Sequence, residues 1–477
     1  MAVASPTAAA RHARRVAAPG RHARLSAGDG ARPRRFPCFD GLRAIAAILV
    51  VLVHTSFSSG FTTRSPQGIY TARLEIGVSV FFLISGFLLY RPFAASHLGG
   101  GLSPAIGRFW VRRLLRIVPA YWLAFVVTTY WMHVNTVRPG WRSLLVYLGF
   151  AQIYSPSYAL TGITQAWSLC TEVTFYLFLP LFAAAIVARR RTDRHQLRRE
   201  IVALGVLFAT GLGVRFGLLH VHRPLGHVML DWLPAYLDLF ALGMFLAVMS
   251  SWLAHRRVQP RWLWHPAMPW VSWAAAAGML WSVSHVGISR LPLVSNPPGK
   301  GMAQELLYGL FALFLLAPAV FGPQDRGVIR RALASPPVMA LGVVSYGVYL
   351  WHQAWVAMFL RWNRDLFRAP PGKMFAVVAG LAVATAAASY LVVERPLLSL
   401  KDRLGWWGLR PRRRASAHVP AAGPEAGSGP PGGVVLDVLS QQGELLGQDP
   451  GLVLEPSHLP AQVDAHDEQE QGGQHGQ

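Results

Sequence analysis

The sequence predicts an all-α, polytopic integral membrane bundle of about ten transmembrane helices with disordered termini. Three observations predict it. Hydrophobic residues make up 53% of the 477 and charged residues 14%, where a soluble domain carries about 25% charge. The apolar residues gather in runs near the length of about 20 that spans a bilayer. The net charge of +23 sits in short clusters between those runs, as in cytoplasmic membrane loops, and not on one face as in a nucleic-acid binder. A disordered chain, a disulfide scaffold and an ordinary soluble enzyme are excluded. The only cysteines, Cys38 and Cys170, fall near opposite membrane faces and cannot bridge.

Residues 1–36 are rich in Ala, Arg, Gly and Pro and lack the apolar core of a signal peptide. They read as a flexible basic arm near anionic headgroups. The transmembrane domain covers 37–400. Its spans fall near 41–60, 75–93, 117–134, 167–188, 200–220, 231–252, 265–285, 303–321, 338–360 and 373–393. The stretch 143–153 is apolar but too short to cross, and reads as re-entrant or interfacial. Residues 401–477 form a tail, basic around Arg412 and Arg413 and then acidic and rich in Gly, Pro and Gln, with the composition of disorder. No internal repeat stands out.

Lys and Arg in short loops set orientation. With the N-terminus in the cytoplasm, the inner loops hold 17 of them, including Arg108, Arg112, Arg189, Arg190, Arg191 and Arg330, against 10 outside, including Arg223. That orientation puts both termini in the cytoplasm, and the plasma membrane is the expected location of the chain.

Ionisable groups in a bilayer are costly and mark function. Arg43 and His54 share the first span. Eleven residues apart, they return to within about 20° of one face, about 16 Å apart along the axis. Glu172 lies near the outer end of the fourth span, at the depth of His54 and of His352 in the ninth. A carboxylate beside an imidazole raises its basicity and fixes its tautomer. Arg113 and Arg116 share a face at i, i+3 just before the third span and, with Arg43, compose a cluster suited to phosphate. The plainer readings are a snorkelling Arg43, a hydrogen-bonded His54, a structurally paired Glu172 and ordinary positive-inside anchoring. Of Asp238, Glu305, Glu75, Asp231 and Glu394, most read as structural pairs. Ser85-Gly86 reads as a close helix contact. No Walker loop, dinucleotide fingerprint, nucleophile elbow or metal-ligand spacing occurs.

Six stretches, in order over roughly 36–400, are similar to motifs of the membrane acyltransferase-3 family, which O-acylates sugars, antibiotics and surface glycans. They are Asp40-Gly-Leu-Arg43 with His54, Gly77 to Phe87, Arg113-Leu-Leu-Arg116, Trp167-Ser168-Leu-Cys-Thr-Glu172, Leu341 to His352, and Glu394-Arg-Pro396. Val173 stands where the family often has a second carboxylate. The resemblance implies an acyl-CoA co-substrate, acetyl-CoA above all, no bound cofactor or metal, and a carbohydrate or glycosylated acceptor. Arg43, Arg113 and Arg116 would hold the donor's phosphates. His54 would act as base with Glu172, by direct transfer or through an acyl-histidine. Asp40, Trp167, Ser168, His352 and Glu394 would support them. The competing function classes are a transporter or flippase for a glycan or metabolite, which has no need of a phosphate clamp of this size, and a scaffold, which gains nothing from buried charge.

Overall fold

The computed structural model describes residues 36–403 except 100–102, 188–191, 222–223, 292–293, 295, 325 and 365. Most of the basic arm and of the tail, together with Arg189, Arg190, Arg191 and Arg223, lie outside the described residues. Among the described residues every regular element is helical. Ten long helices occupy the ten predicted spans. These are α1 (Cys38–Ser58), α2 (Ile76–Gly99), α3 (Ile106–Val126), α4 (Trp167–Ile186), α5 (Asp193–Leu219), α6 (Leu237–Arg256), α7 (Met268–His285), α8 (Pro298–Val320), α9 (Pro336–Asn363) and α10 (Pro371–Ser389). Helix is the natural answer in lipid, because it satisfies each backbone group within its own segment. Pro92, Pro119, Pro180 and Pro318 sit inside helices, which neighbouring helices make tolerable.

Eight helices are long and apolar enough to cross a membrane, and α7 and α9 are not among them. For α9 the cause is visible in its sequence, since Ser345, Tyr346, Tyr349, His352 and Gln353 replace aliphatic residues.

One boundary differs from the sequence reading. Arg108, Arg112, Arg113 and Arg116 do not precede the third helix but form its first turns, because α3 starts at Ile106. A window over apolar runs misses an amphipathic, Arg-rich start. The stretch 143–153 is no span. A short helix, Trp141–Leu148, and a tight turn, Gln152–Tyr154, cover it. Trp141 and Leu145 are exposed, while Tyr147 is buried and bonded to Thr161 at 2.7 Å.

Helix α1 is the axis of the functional part. It packs on α9, α2 and α10, and α2 packs in turn on α6. Glycines allow backbone to meet backbone. A Cβ at Gly342 of α9 would collide with the Asp40 carbonyl of α1, and one at Gly86 of α2 with the Phe240 carbonyl of α6. Gly86 is thus the packing point the sequence indicated. Arg330 is buried and donates to the carbonyls of Pro318 at 2.8 Å and Phe321 at 2.9 Å, closing the carbonyl end of α8.

Three of the in-span acids away from α1 are paired, while Asp238 keeps a buried Oδ1 without a hydrogen-bond partner. Arg215 meets Glu305 at 3.3 Å and donates to the Ala235 carbonyl. Glu75 accepts from Gln304 at 2.8 Å and Tyr308 at 3.1 Å. Glu200, fully buried, accepts from Tyr90 at 2.5 Å and contacts His97 at 2.6 Å.

Candidate active site

Two cavities lie at opposite ends of one wall. The first is lined by α1, α2, α3, α4 and α9. Arg43, Arg113, Arg116, Glu172, Tyr176 and Ser85 are among its lining side chains. Asp40 holds Arg43 at 2.9 Å, one turn away on the same helix. Arg113 and Arg116 project from the start of α3, and all three guanidiniums are close enough to act on one another electrostatically. The Nε of Arg113 is buried without a hydrogen-bond partner. A buried donor left open costs about 1–3 kcal/mol, and an arriving acceptor recovers it. Three cations facing one carboxylate make a site for a polyanion.

Glu172 accepts a hydrogen bond from Ser85. Its electrostatic partner is Arg113. Nothing connects it directly to His54, so the depth match between them does not translate into contact. Helix α9 intervenes with Tyr349, which lines the first cavity. The Tyr349 hydroxyl bonds Ser168 at 2.7 Å and donates to the Gln165 carbonyl at 2.8 Å. Trp167 stacks on Tyr236 with centroids 5.6 Å apart. Glu394 is buried in the π-turn Tyr390–Glu394 that follows α10, within electrostatic reach of Arg116.

His54 does not line the first cavity. It is half-buried in the wall. Its ring lies 5.1 Å from that of His352, which is 5.8 Å from Tyr349. The wall therefore runs Tyr349, His352, His54. His352 is fully buried, with Nδ1 on the Tyr349 carbonyl at 2.7 Å and Nε2 unpartnered. Gln353 donates to His54 Nδ1 at 2.8 Å. Beyond Gln353 lies the second cavity, lined by Thr128, Asn135, Thr136, Thr164, Gln165 and Gln353 together with aliphatic residues.

Sequence reasoning selected Arg43, Arg113, Arg116 and Glu172, which line the first cavity, and His54 and His352, which stand together in the wall, but missed Gln353, Gln165 and the bond from Ser85. A neutral carboxamide in an apolar run carries little signal. Adjacency to His352 was the only cue for Gln353. Among the described residues no group of His, Cys, Asp and Glu is arranged to hold a metal.

Comparison with known proteins identifies the family of the chain. The family described as "Acyltransferase domain" (acyltransferase-3) matches residues 36–394. A protein named "putative membrane-bound transacylase" from Komagataeibacter xylinus is 26% identical over 85% of this chain and 93% of its own length. A protein from Bacillus subtilis named "putative peptidoglycan O-acetyltransferase" is 30% identical over 31% of this chain and 24% of its own. One from Staphylococcus aureus named "putative O-acetyltransferase" is 22% identical over 76% and 57%. The chain thus spans about a quarter and little over half of the latter two. No solved structure gives a significant match. With its family motifs folded around two cavities and a histidine wall, the chain belongs to the acyltransferase-3 family and is a multi-pass membrane acyltransferase.

Proposed function

We propose that the protein moves an acetyl or other short acyl group from an acyl-CoA-type donor to a hydroxyl of a carbohydrate or glycosylated small molecule, in the plasma membrane with both termini cytoplasmic. The observation that carries this reading is the convergence of Arg43, Arg113 and Arg116 on one cavity, with the Arg113 Nε awaiting an acceptor. Donor phosphates bind there from the cytoplasmic side, and Asp40 steadies Arg43 through their ion pair.

The axial rise from Arg43 to His54 is about 16 Å, so an extended arm anchored at the guanidiniums reaches the wall. The cavity measures only about 90 Å³, room for a few waters at roughly 10–15 Å³ each. The donor therefore widens it on entry. At the wall, His54 takes the proton of the acceptor hydroxyl as its oxygen attacks the thioester carbonyl. The C–S bond breaks and the thiolate leaves with the CoA. Holding the thioester and hydroxyl at fixed separation supplies much of the rate.

The test is transfer of labelled acetyl from acetyl-CoA in membranes at matched expression. His54→Ala is expected to lose about 10²–10⁴ in rate, the span of general-base catalysis. Wild-type turnover in that variant removes the base assignment. Arg43→Ala is expected to raise donor KM about tenfold or more with a smaller change in kcat. An unchanged donor KM removes the phosphate role.

A further inference from the structure

The second cavity, beyond Gln353, has no part in donor binding as argued above. It is about 200 Å³, more than twice the first. Thr128, Asn135, Thr136, Thr164, Gln165 and Gln353 supply its polar lining, and no charged side chain contributes. It lies beside the 132–166 segment between α3 and α4, at the end of the bundle away from Arg43 and Arg113.

Two carboxamides in it are half-used. The Gln165 amide donates to the Leu350 carbonyl at 2.7 Å. The Asn135 amide donates to Thr128 at 2.7 Å and Thr129 at 3.1 Å. Their carboxamide oxygens accept from no protein donor among the described residues. A surface of free carbonyl-type acceptors and hydroxyls without charge matches a ligand rich in O–H donors and without charge of its own. A polyanion gains nothing there and loses its solvation.

Gln353 belongs to both this cavity and the histidine wall. Its bond to His54 Nδ1 decides which ring nitrogen carries the proton. With the amide NH2 toward Nδ1, the proton sits on Nε2. With the carboxamide turned by 180°, Nδ1–H donates to its oxygen and the Nε2 lone pair is free to take a proton. A ligand hydroxyl bonded to the outer side of Gln353 biases that turn.

We propose that this cavity is the acceptor pocket, that its ligand class is an uncharged polyhydroxylated sugar, and that Gln353 is a positioning residue which sets the tautomer of His54. The proposal rests on the acyl-transfer reading and extends it to the acceptor. Donor and acceptor then approach the wall from opposite sides, and neither has to pass the other.

Two experiments on the full chain in lipid nanodiscs test it. The first does not depend on turnover. Thr136→Cys adds a thiol to the cavity, while Cys38 and Cys170 are buried. Modification of this thiol by a charged thiosulfonate is followed with neutral oligosaccharides of glucose, galactose or N-acetylglucosamine, with a uronic-acid oligosaccharide of equal length, or with CoA. At least one neutral sugar is expected to slow labelling about threefold or more, with little effect of the uronate or CoA. Protection by CoA assigns the space to the donor and overturns the proposal. So does equal protection by charged and neutral sugars, or none by any.

The second is the pH profile of kcat. Gln353→Glu places a carboxylate against the imidazole and is expected to move the acid limb upward by about one unit or more. Gln353→Leu is expected to lower kcat about 10- to 100-fold at unchanged donor KM. Profiles that do not move overturn the positioning role. An active His54→Ala instead overturns the base assignment and leaves the labelling result standing on its own.

Discussion

The two cavities differ in a way that neither size nor depth explains. The smaller is crowded with charge, three guanidiniums and a carboxylate against Tyr and Ser hydroxyls. The larger is built from hydroxyls, carboxamides and aliphatic carbon alone. A single helix, α9, serves both: Tyr349 faces the first and Gln353 the second, four residues on. Four residues along a helix return to nearly the same face one turn further, so the two environments are stacked along the membrane normal. The lesson is that the bundle keeps charged and uncharged linings apart at two ends of one helix, which on the proposed reading sorts the two ligands by charge with the chemistry between.

That contrast breaks most sharply by exchanging charge. Arg113→Glu puts a second carboxylate among the remaining guanidiniums and is expected to raise donor KM by on the order of 100-fold, with acceptor KM nearly unchanged. Thr164→Glu does the converse, raising acceptor KM tenfold or more at constant donor KM. Initial-rate kinetics with each substrate varied in turn checks both. A variant that raises both constants equally shows one continuous site.

Glu172→Gln gives a smaller effect with a clear sign. Because Glu172 faces Arg113 and Ser85 and not His54, its loss is expected to reduce kcat by tenfold or less and to leave the pH profile in place. A fall of about 10²–10³ with a shifted acid limb would make Glu172 a direct partner of the base. Ser85→Ala is the mildest. It removes one hydrogen bond to a charged group, about 1.5 kcal/mol at the low end of such bonds, and its effect on donor KM is expected to stay near tenfold or below, with Tyr176 still lining the same cavity.

Much of the fold is legible in the chain because lipid leaves so few options. A helix stands at each of the ten apolar runs, eight of them long and apolar enough to cross. What the sequence conceals is lateral order. Depth along a span is countable, so His54 and His352 read as level, and they are neighbours. Which helices adjoin is not countable, so Glu172 read as level with His54 although α9 stands between them. The start of α3 was hidden because Arg residues on its first turns lower the apolarity of the segment. Arg215, which anchors Glu305, drew no notice because one cation inside a long apolar run leaves the average almost untouched.

The close approach of Gly342 to the Asp40 carbonyl fixes where the molecule can open. There α1 and α9 touch main chain to main chain, right beside the ion pair that carries Arg43. That seam is a jamb. On the proposed reading, room for a bulky donor comes from the facing side, where α3 is held by side-chain hydrogen bonds such as Tyr346 to the Ile117 carbonyl and Trp110 to the Tyr176 carbonyl. On the proposed donor reading, helix α3, which bears two of the three guanidiniums, is the side that gives way, and it carries the arginines that would grip the ligand.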